Sequence, residues 1–455
     1  MEFDVVIVGS GPGGYIAAVD AARRGFKTAI VEKQYYGGVC LNVGCIPTKT
    51  LLKSAKVYSL IKHSQTFGVE IKNPDLNVTP LWAKMQSRKT AVVTKLTKAV
   101  KFLMRSHRVT TFEGEATAIS ASQVRVNNET LTFKNLIIAT GSAPRHLSLP
   151  GFAAARQAGL VVDSTGILSL PHIPQRLVVI GGGVIGIEFA FLFAELGTAV
   201  TIVEVFDRIL NLLDQSISQE MTTIAAQKGI KIFTKSRATA IAGQTLIFTD
   251  QYGHTHRVAF DVCLESVGRV PTTRGFDNIG LQKNQRSQAI MTDEYCRTNI
   301  PHIYAIGDVN GCKMLAHVAS AEAHAAVAHF AADPHLSRFK IDYEKMPNAI
   351  YTHPEVATVG LTEQQAQAQQ LDYVQQTFPL SRSGKALADG ETSGFVKIIA
   401  GRKYREVIGV HIIAATATDM ISEVTTLMAS EGTITEIAKA VHPHPTISES
   451  LFEAA

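Results

Sequence analysis

Cys40 and Cys45 stand five positions apart in the stretch GGVCLNVGCIPTK, residues 37–49. Thiols at this spacing serve either redox exchange or plain burial. Five residues of regular α-helix rise about 7.5 Å, at or past the reach of a relaxed disulfide. A bridge between the two therefore needs a distorted turn and would be easily reduced, and the alternative is two unlinked thiols. Zinc and haem ligation do not fit, because the chain has no Cys-x-x-Cys; no metal site is expected. A second reactive candidate lies near the end of the chain. His444, in His442-Pro-His-Pro445, precedes a proline and is held extended. Thr446 and Glu449 fit a Thr-x-x-Glu capping box on a short final helix, and on these residues alone capping is the favoured role of Glu449. Cys263, Cys296 and Cys312 read as packing or loop thiols.

Glycines carry chemistry of another kind. Gly9, Gly11 and Gly14 form a Gly-x-Gly-x-x-Gly after the expected strand Asp4-Val-Val-Ile-Val8, and Gly181, Gly183 and Gly186 form another after residues 177–180. Every landmark is displaced by 172 positions (9 to 181, 14 to 186, 32 to 204). Gly25 and Gly197 close the helices that follow, and Glu32 and Glu204 end the next strands, each 18 positions past its third glycine. In such a unit the first glycine permits a tight turn, the second lets a pyrophosphate approach, and the third lets helix pack on strand. The helix N-terminus, with free N–H groups and a positive dipole end, holds phosphate. The acidic residue accepts from a ribose 2′-hydroxyl. Two copies in register predict two dinucleotide sites, and hence electron transfer between two dinucleotides, one of them a flavin. At the second site Glu204 repels a 2′-phosphate and no arginine occurs before Arg208, so NAD is expected rather than NADP.

The elements that position these groups need a large chain. Its 455 residues allow about three domains. Charged residues are only 18%, and a net charge of +5 spread along the chain is too mild for a nucleic-acid or anionic-membrane partner. Residues 177–203 hold only Glu188 and Glu195 as charges, but five glycines split them into strand, turn, helix and strand, which excludes a membrane span. The basic stretch 84–108 reads as a core-facing helix, with Val92, Leu96, Ala99, Val100 and Leu103 on one stripe and Lys95, Lys98 and Arg105 on another face. Five cysteines, an odd number in a long chain, argue for a reducing compartment. No targeting segment is expected ahead of the first strand, and a cytoplasmic location follows.

Taken together, GSGPGG, GGVCLNVGCIPTK, GGGVIGIE and HPHPTISE resemble the flavin-dependent pyridine nucleotide-disulfide oxidoreductases, and the resemblance runs over nearly the whole chain. Further matches are Ala139-Thr-Gly-Ser142, Val267-Gly-Arg269 with Pro271, Tyr304-Ala-Ile-Gly-Asp308, Leu315-Ala-His317, Tyr351 with Pro354-Glu-Val356, and Gly394-Phe-Val-Lys397. The resemblance implies an α/β protein with two Rossmann-like domains and a C-terminal α+β dimerisation domain. The FAD-binding domain would take 1–148 and 271–342, the NAD-binding domain 149–270, and the interface domain 343–455. Val39, Thr272, Cys312 and residues 414–417 depart from the usual wording, and none is an expected catalytic group.

By resemblance, FAD would meet Gly9, Gly11, Pro12, Gly14, Glu32, Lys33, Lys49, Thr140, Gly141, Ser142, Gly307, Asp308, Met314, Leu315, Ala316 and His317. NAD would meet Gly181, Gly183, Val184, Gly186, Glu188, Glu204, Val205 and Gly268. Lys49, paired to Glu188, would lie beside the isoalloxazine. Cys45 would be the flavin-side sulfur of a redox disulfide and Cys40 the sulfur that exchanges with a dithiol. His444 would be the base, oriented by Glu449 and supplied from the partner of a homodimer. An imidazole with an ordinary pKa of about 6.5, beside a carboxylate, suits a thiol of about 8.5. The implied reaction oxidises dihydrolipoamide on a lipoyl-bearing protein of a 2-oxoacid dehydrogenase or glycine cleavage complex, with NAD reduced to NADH. A glutathione-type reductase is disfavoured by Glu204, and a mercuric-type reductase by the lack of cysteine in residues 451–455. A docking subunit with a purely structural flavin is disfavoured by the presence of Cys40, Cys45, His444 and Glu449.

Overall fold

The apolar run ahead of the first glycine triplet forms the strand Glu2–Val8, and the run ahead of the second forms Arg176–Ile180. Each leads into a 12-residue helix, Pro12–Arg23 and Val184–Glu195, and then into a second strand, Thr28–Glu32 and Ala199–Val203. A computed structural model of the chain shows these elements and describes residues 1–70, 79–336 and 340–455. Two compact units emerge. The first comprises Met1–Thr50, Gln86–Arg145 and Gly268–Tyr343; the second comprises Leu51–Met85, His146–Val267 and Glu344–Ala455.

In the first unit, parallel strands run in the order Thr110–Glu113, Thr28–Glu32, Glu2–Val8, Glu129–Ile138, with Ile303–Ala305 also parallel to Glu129–Ile138. Val6, Val8, Val31, Leu136 and Ile138 lie in one core cluster. Strand order reverses beside Glu2–Val8, so the carboxyl ends of Glu2–Val8 and Glu129–Ile138 flank the crevice where open α/β sheets bind ligands. The second unit repeats the plan with five parallel strands: Lys231–Phe233, Ala199–Val203, Arg176–Ile180, Val262–Glu265 and Val161–Val162. It also holds a five-stranded antiparallel sheet, ordered Asn348–Ile350, Glu355–Gly360, Val407–Ala414, Phe395–Gly401, Tyr373–Pro379. The helix Ala417–Ala429 shares that sheet's core cluster through Met420, Ile421, Val424 and Met428, one face at helical spacing. The expected α/β class is borne out.

The stretch 177–203 resolves into strand, helix and strand as its glycines require. Among the described residues no helix is long and apolar enough to cross a membrane. The basic stretch forms the helix Trp82–Ser106. Val100 and Met104 are buried on its inner face, whereas Ala99 is exposed. Ala99 lies near the helical spacing of the stripe, but an alanine carries too little apolar surface to fix which way that position faces.

The glycine triplets differ in what the fold demands of each member. A Cβ on Gly14 would sit 1.9 Å from the Gly9 carbonyl oxygen, and one on Gly186 would sit 2.1 Å from that of Gly181. Helix and strand touch there, and no side chain fits. The middle glycines are under no such constraint: Gly11 and Gly183 have ordinary φ values of −64° and −76°. A Cβ on Gly11 would meet nothing closer than 4.0 Å, and one on Gly183 would meet nothing within that distance. What they leave open is the approach to each helix N-terminus.

A buried polar cluster sits in the second unit. His411 on Val407–Ala414 is directly opposite Lys397 on Phe395–Gly401, and both are almost fully buried with Asp214. The His411 Nε2–H donates to the Leu361 carbonyl at 3.0 Å. Burial pushes the imidazole's pKa down to about 4.

Two outcomes are expected. Gly186→Ala should destabilise the protein by about 3 kcal/mol or more through overpacking, whereas Gly183→Ala should stay within about 0.5 kcal/mol of the parent; thermal or denaturant midpoints compare them. Because the folded His411 binds its proton less well than the unfolded chain, its neutral form favours folding above pH 6.5. That contribution, about 3 kcal/mol, is lost as pH falls from 6.5 toward 4. In His411→Gln the slope of stability against pH across this window should be shallower, and an unchanged slope would refute the assignment.

Candidate functional site

The cysteine loop of the first unit is pinned to the first glycine triplet. Gly37 and Gly38 have φ of 91° and 59°, and a Cβ on Gly38 would lie 2.6 Å from the Gly11 Cα. The Gly37 N–H donates to the Ser10 carbonyl at 2.9 Å. Glycine is therefore required where the two loops meet. The short helix Gly38–Val43 carries Cys40, then Gly44 breaks the helix at φ −143°, ψ −115°, and Cys45 begins the 18-residue helix Cys45–Lys62. This break is the distorted turn that the five-residue spacing demands. Asn42 braces it by donating Nδ2 to the Tyr36 and Gly38 carbonyls, both at 2.9 Å.

The two thiols are unbridged and hydrogen-bonded to each other. Their environments differ. The hydrogen bond to Cys45, and then burial, push the Cys40 thiol far up in pKa, against a smaller downward pull from Lys49. Cys45 sits at a helix N-terminus, where the dipole favours an anion.

Each glycine triplet is closed by the acidic residue of its repeat. The Glu32 carboxylate accepts from the Ser10 N–H at 2.8 Å, the Ser10 hydroxyl at 2.7 Å and the Gln34 N–H at 2.8 Å. In the second copy Glu204 accepts from the Gly182 N–H at 2.5 Å and the Phe206 N–H at 2.8 Å. Partners 10 and 182, and 34 and 206, keep the 172-residue displacement. Each Glu204 oxygen retains a lone pair for a ribose hydroxyl, whereas all four sites of Glu32 are taken, the last by a long 3.3 Å bond from the Tyr35 N–H that a ribose hydroxyl could replace. The two triplet helices have no side-chain cap and no acidic residue in the first turn. Uncapped N–H groups, room above the middle glycine and a carboxylate beyond fit a dinucleotide at both places.

The remaining residues expected at FAD gather at the same edge of the first unit's sheet. Thr140, Gly141 and Ser142 follow Glu129–Ile138, and Gly307 and Asp308 follow Ile303–Ala305. The Ser142 hydroxyl bonds to Asp308. Arg269, which lies in the Val-Gly-Arg motif but outside the expected set, grips Ser142 by its hydroxyl and its carbonyl, both at 2.7 Å. Glu322 was also missed. Fully buried, it accepts from the Gly307 N–H at 2.5 Å, Asn310 Nδ2 at 2.8 Å and the Tyr343 hydroxyl at 2.6 Å, which sets the turn bearing Asp308. Burial pushes its carboxyl pKa up. Met314 and Leu315 lead into the helix Ala316–Phe330, with His317 exposed in its first turn. A cleft of about 220 Å³ beside Glu32 is lined by Lys33, Tyr35, Tyr36 and Lys101 among others.

Of the residues expected at NAD, Gly181, Gly183, Val184, Gly186, Glu204 and Val205 share one edge of the second unit's parallel sheet, while Gly268 falls within the first unit. Glu188 is buried and accepts from the Tyr351 N–H at 3.0 Å. His444 is largely exposed, its Nδ1 2.8 Å from Glu449 Oε1. The other Glu449 oxygen accepts from the Thr446 N–H at 2.7 Å. That amide first, and then His444, hold the Glu449 carboxyl below its usual pKa. One carboxylate therefore contacts both His444 and the Thr446 amide, but the expected capping box does not form: the final helix, Glu449–Glu453, starts at Glu449 itself and the Thr446 hydroxyl makes no reciprocal cap. The His444–Pro445 peptide bond is cis.

Comparison with known proteins shows the family. Residues 3–323 match the pyridine nucleotide-disulphide oxidoreductase family, and residues 346–455 match the dimerisation domain of the same family. The dihydrolipoyl dehydrogenase of Mycoplasma pneumoniae is 43% identical over all of this chain and 98% of its own length. A dihydrolipoyl dehydrogenase of Bacillus subtilis is 41% identical over all of this chain and 96% of its own. Among solved structures, the HOCl-induced flavoprotein disulfide reductase RclA from Escherichia coli superposes with a TM-score of 0.85 at 27% identity, covering 99% of each chain. With a thiol pair set on a nucleotide loop and a second such loop in the same chain, this protein belongs to the pyridine nucleotide-disulphide oxidoreductases.

Proposed function

We propose that the protein oxidises dihydrolipoamide carried on a lipoyl-bearing protein, reducing NAD to NADH, as a component of a 2-oxoacid dehydrogenase or glycine cleavage complex. The observation that carries the chemistry is the seating of Gly38 on Gly11, which holds the Cys40–Cys45 pair against the first nucleotide loop. The choice of dithiol follows relatives named dihydrolipoyl dehydrogenase at 37–43% identity over the full chain. The FAD-binding domain takes 1–148 and 271–342, the NAD-binding domain 149–270, and the dimerisation domain 343–455. The working form is a homodimer in the cytoplasm.

In this reading Cys40 and Cys45 begin the cycle as a disulfide. A thiolate of the substrate attacks the Cys40 sulfur, and the Cys45 sulfur leaves as a thiolate at the helix N-terminus. The second substrate thiol then closes the cyclic disulfide and releases Cys40 as a thiol. His444, which completes the site of the partner subunit, takes a proton from the substrate through Nε2 while Glu449 holds Nδ1. FAD, held by the first unit, would supply the two-electron relay between the reduced cysteines and NAD. Glu32 and Ser10 close the loop on the flavin nucleotide, with Gly9, Gly11, Pro12 and Gly14 at its phosphates. Thr140 to Ser142, Gly307, Asp308 and Met314 to His317 line the rest. Lys49 and Glu188 are the charged residues beside the isoalloxazine. Gly181, Gly183, Val184, Gly186, Glu204, Val205 and Gly268 receive NAD. The balance is one dithiol and one NAD consumed, and one disulfide, one NADH and one proton formed.

The yellow parent protein should form NADH from NAD and dihydrolipoamide, and Cys45→Ser should keep its flavin and lose all turnover. A parent that binds FAD and shows no turnover would remove the lipoamide assignment. His444→Gln should lower the dithiol-driven rate by about 10²–10⁴ while NADH still bleaches the flavin in anaerobic mixing. Equal loss in both half-reactions would mean that His444 is not the base.

A further inference from the structure

We propose that Lys397, with Asp214 and Glu363, is a positioning residue for the second nucleotide site: a buried charge joint through which the C-terminal sheet sets the glycine loop that receives NAD. The inference rests on the NAD reading of that site given above.

Lys397 projects from the strand Phe395–Gly401 with its side chain only 5% exposed, and its Nζ lies 3.0 Å from Asp214 Oδ1 and 2.7 Å from Glu363 Oε2. Asp214 is fully buried and caps the helix Gln215–Gln227 by accepting from the Ser216 N–H at 3.0 Å. Its second oxygen accepts from the Glu363 N–H at 2.8 Å. Two carboxylates thus share one lysine, beside a neutral His411. Such a cluster adds little stability that apolar residues of the same volume would not add, so its value lies in placing what it holds.

What it holds leads back to the glycine loop. The Leu213 N–H donates to the Leu210 carbonyl at 2.9 Å, and Leu210, at φ 49°, donates its own N–H to the Gly182 carbonyl at 2.9 Å. Ile209 is fully buried against Gly182, where a Cβ would lie 2.8 Å from Ile209 Cγ2. The Gly182 N–H is taken by Glu204. Both faces of the residue inside the glycine triplet are therefore set, one by the acidic strand end and the other by a segment that terminates at Asp214.

The first repeat solves the same problem differently. There the Ser10 carbonyl, the counterpart of Gly182, accepts from the Gly37 N–H at 2.9 Å, in the cysteine loop itself. The second repeat has no cysteine loop at this point, and its brace runs instead to a buried lysine of the C-terminal sheet.

The test uses the full-length, flavin-loaded protein. NAD dissociation constants, and KM values for NAD and dihydrolipoamide, are measured for the parent, Lys397→Met, Lys397→Arg and Asp214→Asn. Lys397→Met should weaken NAD about tenfold, within the range of coupling seen for residues remote from a ligand. The dihydrolipoamide KM and flavin content should hold, and Lys397→Arg should recover most of the loss. Because Lys397→Met strands two carboxylates, Asp214→Asn provides the second variant: it keeps the volume and the cap acceptor, drops the charge, and should show the same NAD-selective loss. Unchanged NAD constants in both variants, or a parallel fall in NAD affinity, dithiol KM and flavin content, would overturn the joint. So would failure of both variants to fold. A parent that binds no NAD would instead sink the nucleotide reading itself, and the two failures are therefore distinct.

Discussion

The hydrogen bond from a glycine-loop amide to the carboxylate at the end of the next strand is the constraint on which the structure depends, and it is made twice. Glu32 takes the Ser10 amide and Glu204 the Gly182 amide. In each copy the bond ties the turn after one strand to the tip of its neighbour, so the helix N-terminus cannot drift from the sheet edge. Contact between the third glycine and the first completes the lock, because a carbonyl oxygen occupies the place of the missing side chain. With both ends held, the unpaired amides of the first helical turn converge on one point and are available to an anion.

Around this shared frame the two copies have diverged in what they brace. The first copy carries the cysteine pair on its own loop, with Gly38 against Gly11, so the thiols inherit the precision of the nucleotide site. A helix break at Gly44 gives the two sulfurs different surroundings, one within a short helix and the other at the start of a long one. In the proposed cycle that asymmetry gives the pair a direction, with Cys40 exchanging and Cys45 leaving at a helix N-terminus that favours an anion. The second copy has no reactive loop, and it leans on the antiparallel sheet through Asp214 and Lys397.

The His444–Glu449 pair shows how one carboxylate serves two purposes. One oxygen orients an imidazole that is otherwise open to its surroundings, and the other closes the turn that precedes the last helix. The Thr446 capping box expected on sequence grounds does not form, and the imidazole contact and the turn contact are made by the two oxygens of the same carboxylate. The Glu322 cluster does comparable work beneath Asp308, where three donors converge on one buried carboxylate.

The repeat, its strands and helices, the strand-end carboxylates and the thiol pair were all legible in the sequence, because each depends on short-range spacing. A turn, a helical face and a strand period are local, and a second copy displaced by 172 positions confirms each landmark of the first. The partners that hold the site were not legible. Arg269 reaches Ser142 across 127 positions and Lys397 reaches Asp214 across 183. The roles of Ser10 and Gly182 reside in backbone amides, which leave no mark on residue type. Chain identity determined which groups could do chemistry. Only tertiary structure decided which of them meet, because a hydrogen bond or buried ion pair is set by distance in space, and separation along the chain carries no trace of it.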